Sequence, residues 1–263
     1  MSEGLRTGWE RDCPAGDTVL GDYVASWIDW VVTLAAASGE RCLQEDDLVL
    51  HDAASTAMFG NIGLLAQPCT GDGAALAARI RAFYAAGEGG RYVVFSPWPT
   101  PDLTPYGFEL AGHPPAMYRA PGGDAPPVPA ELRIEEVTDD AGRIAYDRTL
   151  VEGYPISDLT EGEMVKPGWL VPEQWHMYVG YVEDRPVAAA AAWLDDRLQH
   201  VEWVATRAEY RGRGYGAALT WRATLVDATR PATLVASDDG RPVYERMGYV
   251  ALTRFTLWIG NRD

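Results

Sequence analysis

Helix-like and strand-like hydrophobic patterns alternate along this chain. Apolar residues at helical spacing predict helices over Thr18 to Ala37, Asp72 to Ala86 and Asp140 to Glu152. Short apolar or alternating runs predict strands at Met58 to Ala66 and Arg91 to Ser96. The first half of the chain therefore reads as an α/β arrangement.

The strand patterns become denser after residue 131. A strand is predicted at Leu132 to Val137, and a hairpin follows, with strands at Met177 to Val182 and Pro186 to Leu194. A third run, Gln199 to Thr206, continues the series. These three consecutive strands predict an antiparallel arrangement in the second half.

A Pro- and Gly-rich stretch separates the two regions. Residues 120–129 contain four prolines and two glycines, a composition typical of a linker. We therefore predict an N-terminal α/β domain at 1–120, a linker at 121–130 and a second domain at 131–263.

Composition narrows the classes of protein that need to be considered. The chain has 263 residues, 47% of them hydrophobic, which suffices for a buried core. Its formal charge of −16 argues against nucleic acid as a partner and is compatible with a cationic substrate. No run of 18 uninterrupted apolar residues occurs, and Met1 to Arg6 lacks the layout of a secretory signal, so we expect no membrane association and a cytoplasmic location.

The cysteines indicate neither a disulfide framework nor a metal site. Cys13, Cys42 and Cys69 are odd in number and widely spaced. We expect them to be buried small apolar residues, and we expect no bound metal.

A glycine-rich turn between a strand and a helix predicts an anion-binding site. The segment Arg211 to Ala217 reads Arg-Gly-Arg-Gly-Tyr-Gly-Ala and follows the strand that ends at Thr206. Glycines allow a tight turn with backbone N–H groups pointing inward, and the following helix directs its free amides to the same place. A phosphate-bearing ligand is therefore expected, with Arg207, Arg211 and Arg213 as nearby cations.

Two other phosphate-binding motifs fit this turn less well. A P-loop requires Gly-Lys-Ser/Thr, but the single lysine of the chain is Lys166. The dinucleotide pattern is formally met by Gly212, Gly214 and Ala217, with Asp238 downstream. However, five residues separate the strand from the turn, and only 25 residues follow Asp238, too few to continue a doubly wound sheet.

The turn and its neighbours resemble the GNAT superfamily of N-acetyltransferases. Arg211, Gly214 and Gly216 match the Arg/Gln-x-x-Gly-x-Gly/Ala loop of that family, and the segment 236–249 resembles its second signature, Tyr-Glu-x-x-Gly-Phe/Tyr. The resemblance covers residues 132 to 260. It implies an α+β fold, with a mixed, mostly antiparallel sheet flanked by helices, and acetyl-CoA as the acetyl-donating cosubstrate.

The same resemblance assigns the cofactor-binding residues. They are the loop and the strands beside it: Val204, Ala205, Thr206, Arg211, Gly212, Arg213, Gly214, Tyr215, Gly216, Ala217 and Ser237. The N-terminal half has no such loop. If it is a degenerate copy in a tandem protein, we expect it not to bind acetyl-CoA productively.

Acetyl transfer to an amine requires a base and an acid. Glu202 and His200 lie two apart on one strand and therefore share a face, and either one suits the general base. Tyr244 matches the family tyrosine that protonates the sulfur of coenzyme A, and the N–H near Ala205 is the expected oxyanion donor. The aromatic and acidic stretch from Tyr154 to Trp175 is a candidate acceptor wall, although its tryptophans could equally cover the interface between the halves.

The sequence thus predicts direct transfer of an acetyl group to the primary amine of a small molecule in a ternary complex, with homodimerisation as the default assembly. A non-catalytic acyl-CoA-binding or regulatory protein and an NAD(P)-dependent oxidoreductase are the alternatives.

Overall fold

The computed structural model describes residues 18–154, 156 and 159–262. Its helices are α1 Val19–Ser38, α2 Gly73–Ala85, α3 Asp140–Gly153, α4 Tyr215–Thr224 and α5 Arg241–Arg246. Its strands are β1 Arg41–Gln44, β2 Leu48–Asp52, β3 Ile62–Leu65, β4 Tyr92–Ser96, β5 Phe108–Gly112, β6 Pro115–Arg119, β7 Arg133–Glu136, β8 Trp175–Val182, β9 Arg185–Leu194, β10 Gln199–Thr206, β11 Ala232–Val235, β12 Val250–Arg254 and β13 Thr256–Gly260.

These strands form two mixed sheets. The first has the order β1-β2-β3-β4-β13-β5, and the second has the order β12-β6-β11-β10-β9-β8-β7. Within the described residues, only the pairs β3/β4 and β10/β11 are parallel. The predicted mixed, mostly antiparallel architecture is therefore confirmed, and the parallel doubly wound sheet of a dinucleotide-binding protein is excluded.

The two halves of the chain repeat one topology. Each half has a helix followed by three antiparallel strands, a crossover helix, a strand parallel to the third, and two further strands. The crossover helices are α2, between β3 and β4, and α4, between β10 and β11. The expected tandem organisation is thus visible in the order of elements, although the sequence shows no exact repeat.

The halves exchange their last strands. β6 lies between β11 and β12 of the second sheet, and β13 lies between β4 and β5 of the first. Residues 121–130, predicted as the linker, contain no helix or strand and connect β6 to the start of the second half. Since each sheet contains a strand from the other side of this linker, neither sheet is complete without both halves.

Helix α1 belongs to the largest of three buried apolar clusters. Its Tyr23, Trp27 and Trp30 pack with residues of both halves, including Trp175 and Phe255. In length and composition α1 would also suit a membrane span, but the core helix of a globular protein passes the same test, and eight of its residues are buried.

Three local expectations need correction. The run predicted as one strand over Met58 to Ala66 is a 3-10 turn, Met58–Gly60, followed by β3. Cys42 is exposed, because it lies on the edge strand β1, and Cys69 is only partly buried. Cys13 and the Met1 to Arg6 segment lie outside the described residues.

Candidate active site

Strands β10 and β11 diverge at the centre of the second sheet. Their parallel pairing is confined to Gln199 with Ala232 and His200 with Thr233. Beyond His200 the pairing of β10 with β9 is also interrupted, by a bulge between Glu202 and Ala205. Trp203 within this bulge has φ +54°, a left-handed conformation that a large side chain rarely adopts. The bulge bends β10 and leaves backbone groups near Trp203 and Val204 without partners on either neighbouring strand.

A cavity of about 290 Å³ opens where the strands part. Its β10 wall includes Glu202 and Val204, and its β11 wall runs from Leu234 to Ser237. Tyr244 of α5 also lines it. The opposite wall comes from the N-terminal half and from the segment after α3. A cleft of this kind at a sheet opening, mostly apolar with a few polar groups, is typical of a small-molecule site.

Glu202 is the ionisable group best placed for proton transfer in this cavity. Its Oε1 is buried and has no hydrogen-bond partner among the described residues. Burial raises the pKa of Glu202 to about 8. A carboxylate in this range can accept a proton from an amine near neutral pH.

His200 lies beneath the cavity rather than in its lining. Its ring is fully buried, with centroids 5.4 Å from that of Trp30 and 6.0 Å from that of Tyr23, both in edge-to-face contact. Neither ring nitrogen has a hydrogen-bond partner in the described part of the chain, and burial lowers the pKa to about 3. The two candidates thus share a strand face but differ in access to the cavity.

Tyr244 reaches the same cavity from the other side. Burial raises its pKa to about 12, and the charge of Glu202 adds to the effect. The hydroxyl therefore keeps its proton over the physiological range, as a proton donor must. Ser237 is exposed, and its Oγ accepts a hydrogen bond from the Gly240 N–H at 3.0 Å, which fixes the turn that carries α5.

The start of α4 differs from that of the other long helices. The side chains of Thr18, Asp72 and Asp139 cap α1, α2 and α3 by accepting a backbone N–H. The cap of α4 is Gly214, at φ +82°, and no side chain bonds its first turn among the residues the structure describes. Its first amides are free to bind an external anion, and the helix dipole favours one there.

The remaining loop residues contribute mainly backbone. Gly212, at φ +75°, and Gly214 adopt left-handed conformations that place the turn. A Cβ at Gly216 would lie 2.7 Å from Thr206 Oγ1, so glycine permits the loop to approach the end of β10. The Tyr215 side chain is buried, and its hydroxyl donates to Glu131 Oε1 at 2.7 Å, so only the main chain of this residue faces the site.

Two of the three predicted cations are engaged in the scaffold. Arg211 donates to Thr206 O at 3.0 Å and to Gly153 O at 2.6 Å, which ties the loop to β10 and α3. Arg207 pairs with Glu152 at 2.8 Å. Arg213 is exposed, with its guanidinium 5.5 Å from the Tyr210 ring. Backbone amides, more than arginine side chains, are therefore the groups left free for an anion at this loop.

Two tryptophans of the predicted acceptor wall do not line the cavity. Trp169 and Trp175 are buried against each other, and Trp175 also packs against Trp30 of α1, so the pair covers the interface between the halves. Trp27 and Phe95 also line the cavity, but the sequence did not predict this, because nothing in the N-terminal half marks them as facing the second sheet. The aromatic pair at positions 27 and 30, one helical turn apart, was the available signal for a shared face.

Comparisons with known proteins agree with this geometry. Residues 173–251 match the family model of the acetyltransferase (GNAT) domain. A GCN5-related N-acetyltransferase from Kribbella flavida superposes with a TM-score of 0.64 at 22% identity, over 91% of this chain and 96% of that one. A GCN5-related N-acetyltransferase from Sphaerobacter thermophilus gives 0.55 at 14% identity, over 92% and 94%. A conserved protein of unknown function from Staphylococcus epidermidis gives 0.62 at 13% identity, over 86% and 96%. Among proteins with curated descriptions, none matches this sequence.

The mixed sheets and their flanking helices have the GNAT fold. The segment 173–251, which contains β8 to α5, matches the GNAT acetyltransferase domain, as the two motifs predicted. The structural matches extend the shared fold to about nine-tenths of the chain.

Proposed function

We propose that this protein is an acetyl-CoA-dependent N-acetyltransferase that acts on the primary amine of a small molecule. The observation that carries the proposal is the buried carboxylate of Glu202 in the cleft between β10 and β11, on the strand that leads through the glycine loop to the uncapped start of α4. The family match supports acetyl transfer as the reaction class.

The residues present suit acetyl-CoA. The amides that begin α4 and those of Gly212 to Gly214 would hold the pyrophosphate, and Val204 to Thr206 would hold the pantetheine arm. Bound there, acetyl-CoA would supply an activated acetyl thioester. The free helix start and the unpaired strand edge are the structural grounds for this assignment.

Each catalytic role follows from the surroundings of one side chain. Glu202 accepts a proton from the amine nitrogen, because its raised pKa is closer to that of an amine than that of an exposed carboxylate. Tyr244 Oη holds the proton that the departing sulfur requires. The main chain near Ala205 donates to the developing oxyanion. With base and acid lining one cavity, the amine and the donor react directly in a ternary complex.

The binding step can be tested without relying on turnover. Ala217 occupies the third position of α4, so Ala217→Glu places a carboxylate among the free amides and favours the helix while it repels a phosphate. We expect acetyl-CoA affinity, measured by calorimetry, to fall by about tenfold or more with no loss of thermal stability. The uncharged Ala217→Gln is the matched control and should bind within about threefold of wild type.

The reaction itself is tested by the release of free thiol from acetyl-CoA with a panel of primary amines. Acceptor-dependent release with intersecting initial-rate lines supports direct transfer. Acetyl-CoA binding without any stimulating amine would identify a non-catalytic binding protein instead. Thermal stabilisation by NAD(P) and not by acetyl-CoA would overturn the proposal in favour of a nucleotide-dependent oxidoreductase.

A further inference from the structure

The wall of the cavity opposite β10 and β11 is strongly apolar. The N-terminal half contributes Trp27 and Trp30 of α1, Phe59, Ile62 and Phe95. The segment after α3 adds further apolar side chains, with Tyr154 and Met164 among them. Most of the aromatic side chains of this wall thus come from the copy that lacks the glycine loop.

Glu202 is the one charged side chain among the described lining residues. Two of the carboxylates in the predicted acceptor stretch, Glu161 and Glu163, are engaged outside the cavity, and Asp158 lies outside the described residues. Glu161 pairs with Arg148 at 3.2 Å, and Glu163 accepts a hydrogen bond from the Thr56 N–H at 3.1 Å. The described lining therefore offers no second anion for a polycation and no cation for the carboxylate of an amino acid.

The volume of the cavity limits the size of the acceptor. An apolar cavity of roughly 150 Å³ accommodates benzene. The cavity here is about twice as large, at about 290 Å³. Since the β10 and β11 side of this space is needed for the acetyl donor, the remainder suits one aromatic ring with a short amine-bearing chain.

This inference rests on the proposed function. We propose that the acceptor is a primary amine carried on a single aromatic ring or an apolar body of similar size. The N-terminal half selects it through Phe59 and the aromatic side chains beside it in the wall. The ring would be buried against the apolar wall, and the nitrogen would face Glu202. The N-terminal copy thus serves as the specificity wall of the C-terminal copy.

The acceptor class can be tested with matched amines. We would compare 2-phenylethylamine with ethanolamine, which lacks the ring, with L-phenylalanine, which adds a carboxylate, and with spermidine, a polycation. We expect kcat/KM for 2-phenylethylamine to exceed that of each of the others by about tenfold or more, the range that an apolar pocket discriminates. A preference for spermidine or L-phenylalanine would overturn the inference and leave acetyl transfer intact.

The wall is tested by variants at Phe59, which is only partly buried and can be truncated with less damage than the core residues around it. Phe59→Ala should lower kcat/KM for 2-phenylethylamine by about tenfold and that for ethanolamine by much less. Phe83→Ala is the matched control, because Phe83 is also partly buried in the N-terminal half but does not line the cavity. Phe59→Trp, which fills the space, should impair tryptamine more than 2-phenylethylamine.

Direct binding separates this inference from the proposed function. Tryptophan fluorescence, with Trp27, Trp30 and Trp203 around the cavity, reports amine binding in the absence of acetyl-CoA. Saturable quenching by 2-phenylethylamine that weakens in Phe59→Ala supports the apolar acceptor site even if acetyl-CoA fails to bind. No quenching by 2-phenylethylamine, in a protein that binds acetyl-CoA, contradicts the inference alone.

Discussion

The substitution Glu202→Gln tests the central chemical assignment. The amide has nearly the shape of the carboxylate, so the cavity keeps its volume, but it cannot accept a proton from the substrate. Because the carboxylate is buried and its Oε1 lacks a partner among the described residues, the substitution removes no ion pair seen in the structure. We expect the variant to fold and to bind acetyl-CoA as the wild type does.

The magnitude follows from the raised pKa. With a pKa of about 8, roughly one tenth of Glu202 is ionised at pH 7 and roughly nine tenths at pH 9. The rate that depends on this base should therefore rise about tenfold between these pH values and then level off. Loss of the base should lower kcat by about 10²- to 10⁴-fold where the carboxylate is fully ionised.

The assay must separate the titration of Glu202 from that of the amine acceptor. The ratio of the wild-type to the variant kcat/KM at each pH cancels the acceptor, because both proteins require the same unprotonated amine. This ratio should increase about tenfold from pH 7 to pH 9. Glu161→Gln, at an exposed carboxylate paired with Arg148, is the matched control and should leave the profile unchanged. A pH-independent ratio, or a Glu202→Gln enzyme within twofold of wild type, would refute the assignment.

Three further predictions address other parts of the molecule. Tyr244→Phe should lower turnover by about 10²-fold while calorimetry shows unchanged acetyl-CoA affinity; equal turnover would remove the hydroxyl from the mechanism. His200 has a pKa of about 3 in the folded state, below the unfolded value near 6.5. Between these two pH values the folded state binds fewer protons than the unfolded state, so the protein loses stability as the pH falls from 6.5 toward 3. His200→Phe should abolish roughly 2 kcal/mol of that loss between pH 7 and pH 5 in urea unfolding and should retain activity, whereas an inactive, well-folded variant would restore His200 as the base. Trp258→Ala in β13 should lower the free energy of unfolding by about 3–5 kcal/mol and reduce hydrogen-exchange protection in β4 and β5. Leu252→Ala, at an exposed position of β12, is the control and should do neither. Protection lost only in the second sheet would contradict the strand exchange.

The elements with strong local patterns were predictable from the sequence. The structure gives α1, α2 and α3 within two residues of the predicted bounds, and the hairpin of β8 and β9 turns at Glu183 and Asp184, both at positive φ. The glycine loop was also readable, because each glycine there meets a steric or conformational demand that few other residues satisfy. Local chemistry determines these features, so a single sequence reveals them.

The strand exchange depends on contacts that local patterns do not encode. β6 and β13 are strands of five residues each, and nothing in their local sequence marks a partner in the other half. The choice between the two partners is made by packing: Trp258 is buried in the apolar cluster of the N-terminal half and donates to Thr100 Oγ1 at 3.0 Å. Such a pairing, between residues 158 positions apart, is a tertiary effect.

The candidate site shows the same division. Alternation along β10 correctly placed His200 and Glu202 on one face, but it could not show that α1 covers the first and leaves the second in a cavity. The Arg-x-x-Gly-x-Gly pattern drew attention to the loop, but Arg211 donates to two carbonyl groups that come close together only when α3 packs against β10. Residue type and spacing identify candidates, and burial by distant elements decides among them.

The two crossover helices show how one copy of the repeat is suited to bind an anion and the other is not. Both α2 and α4 follow the third strand of their half, but α2 begins with Asp72, whose carboxylate accepts the Ala75 N–H at 3.0 Å. That side chain supplies the negative charge that a phosphate would otherwise supply, and a second anion at the same helix start would be repelled. Gly214 supplies no such group to α4. The N-terminal copy therefore caps the start of its own crossover helix, whereas the C-terminal copy leaves that position free. The N-terminal copy contributes the aromatic wall to the candidate site, and its strands β4 and β5 hold β13 between them.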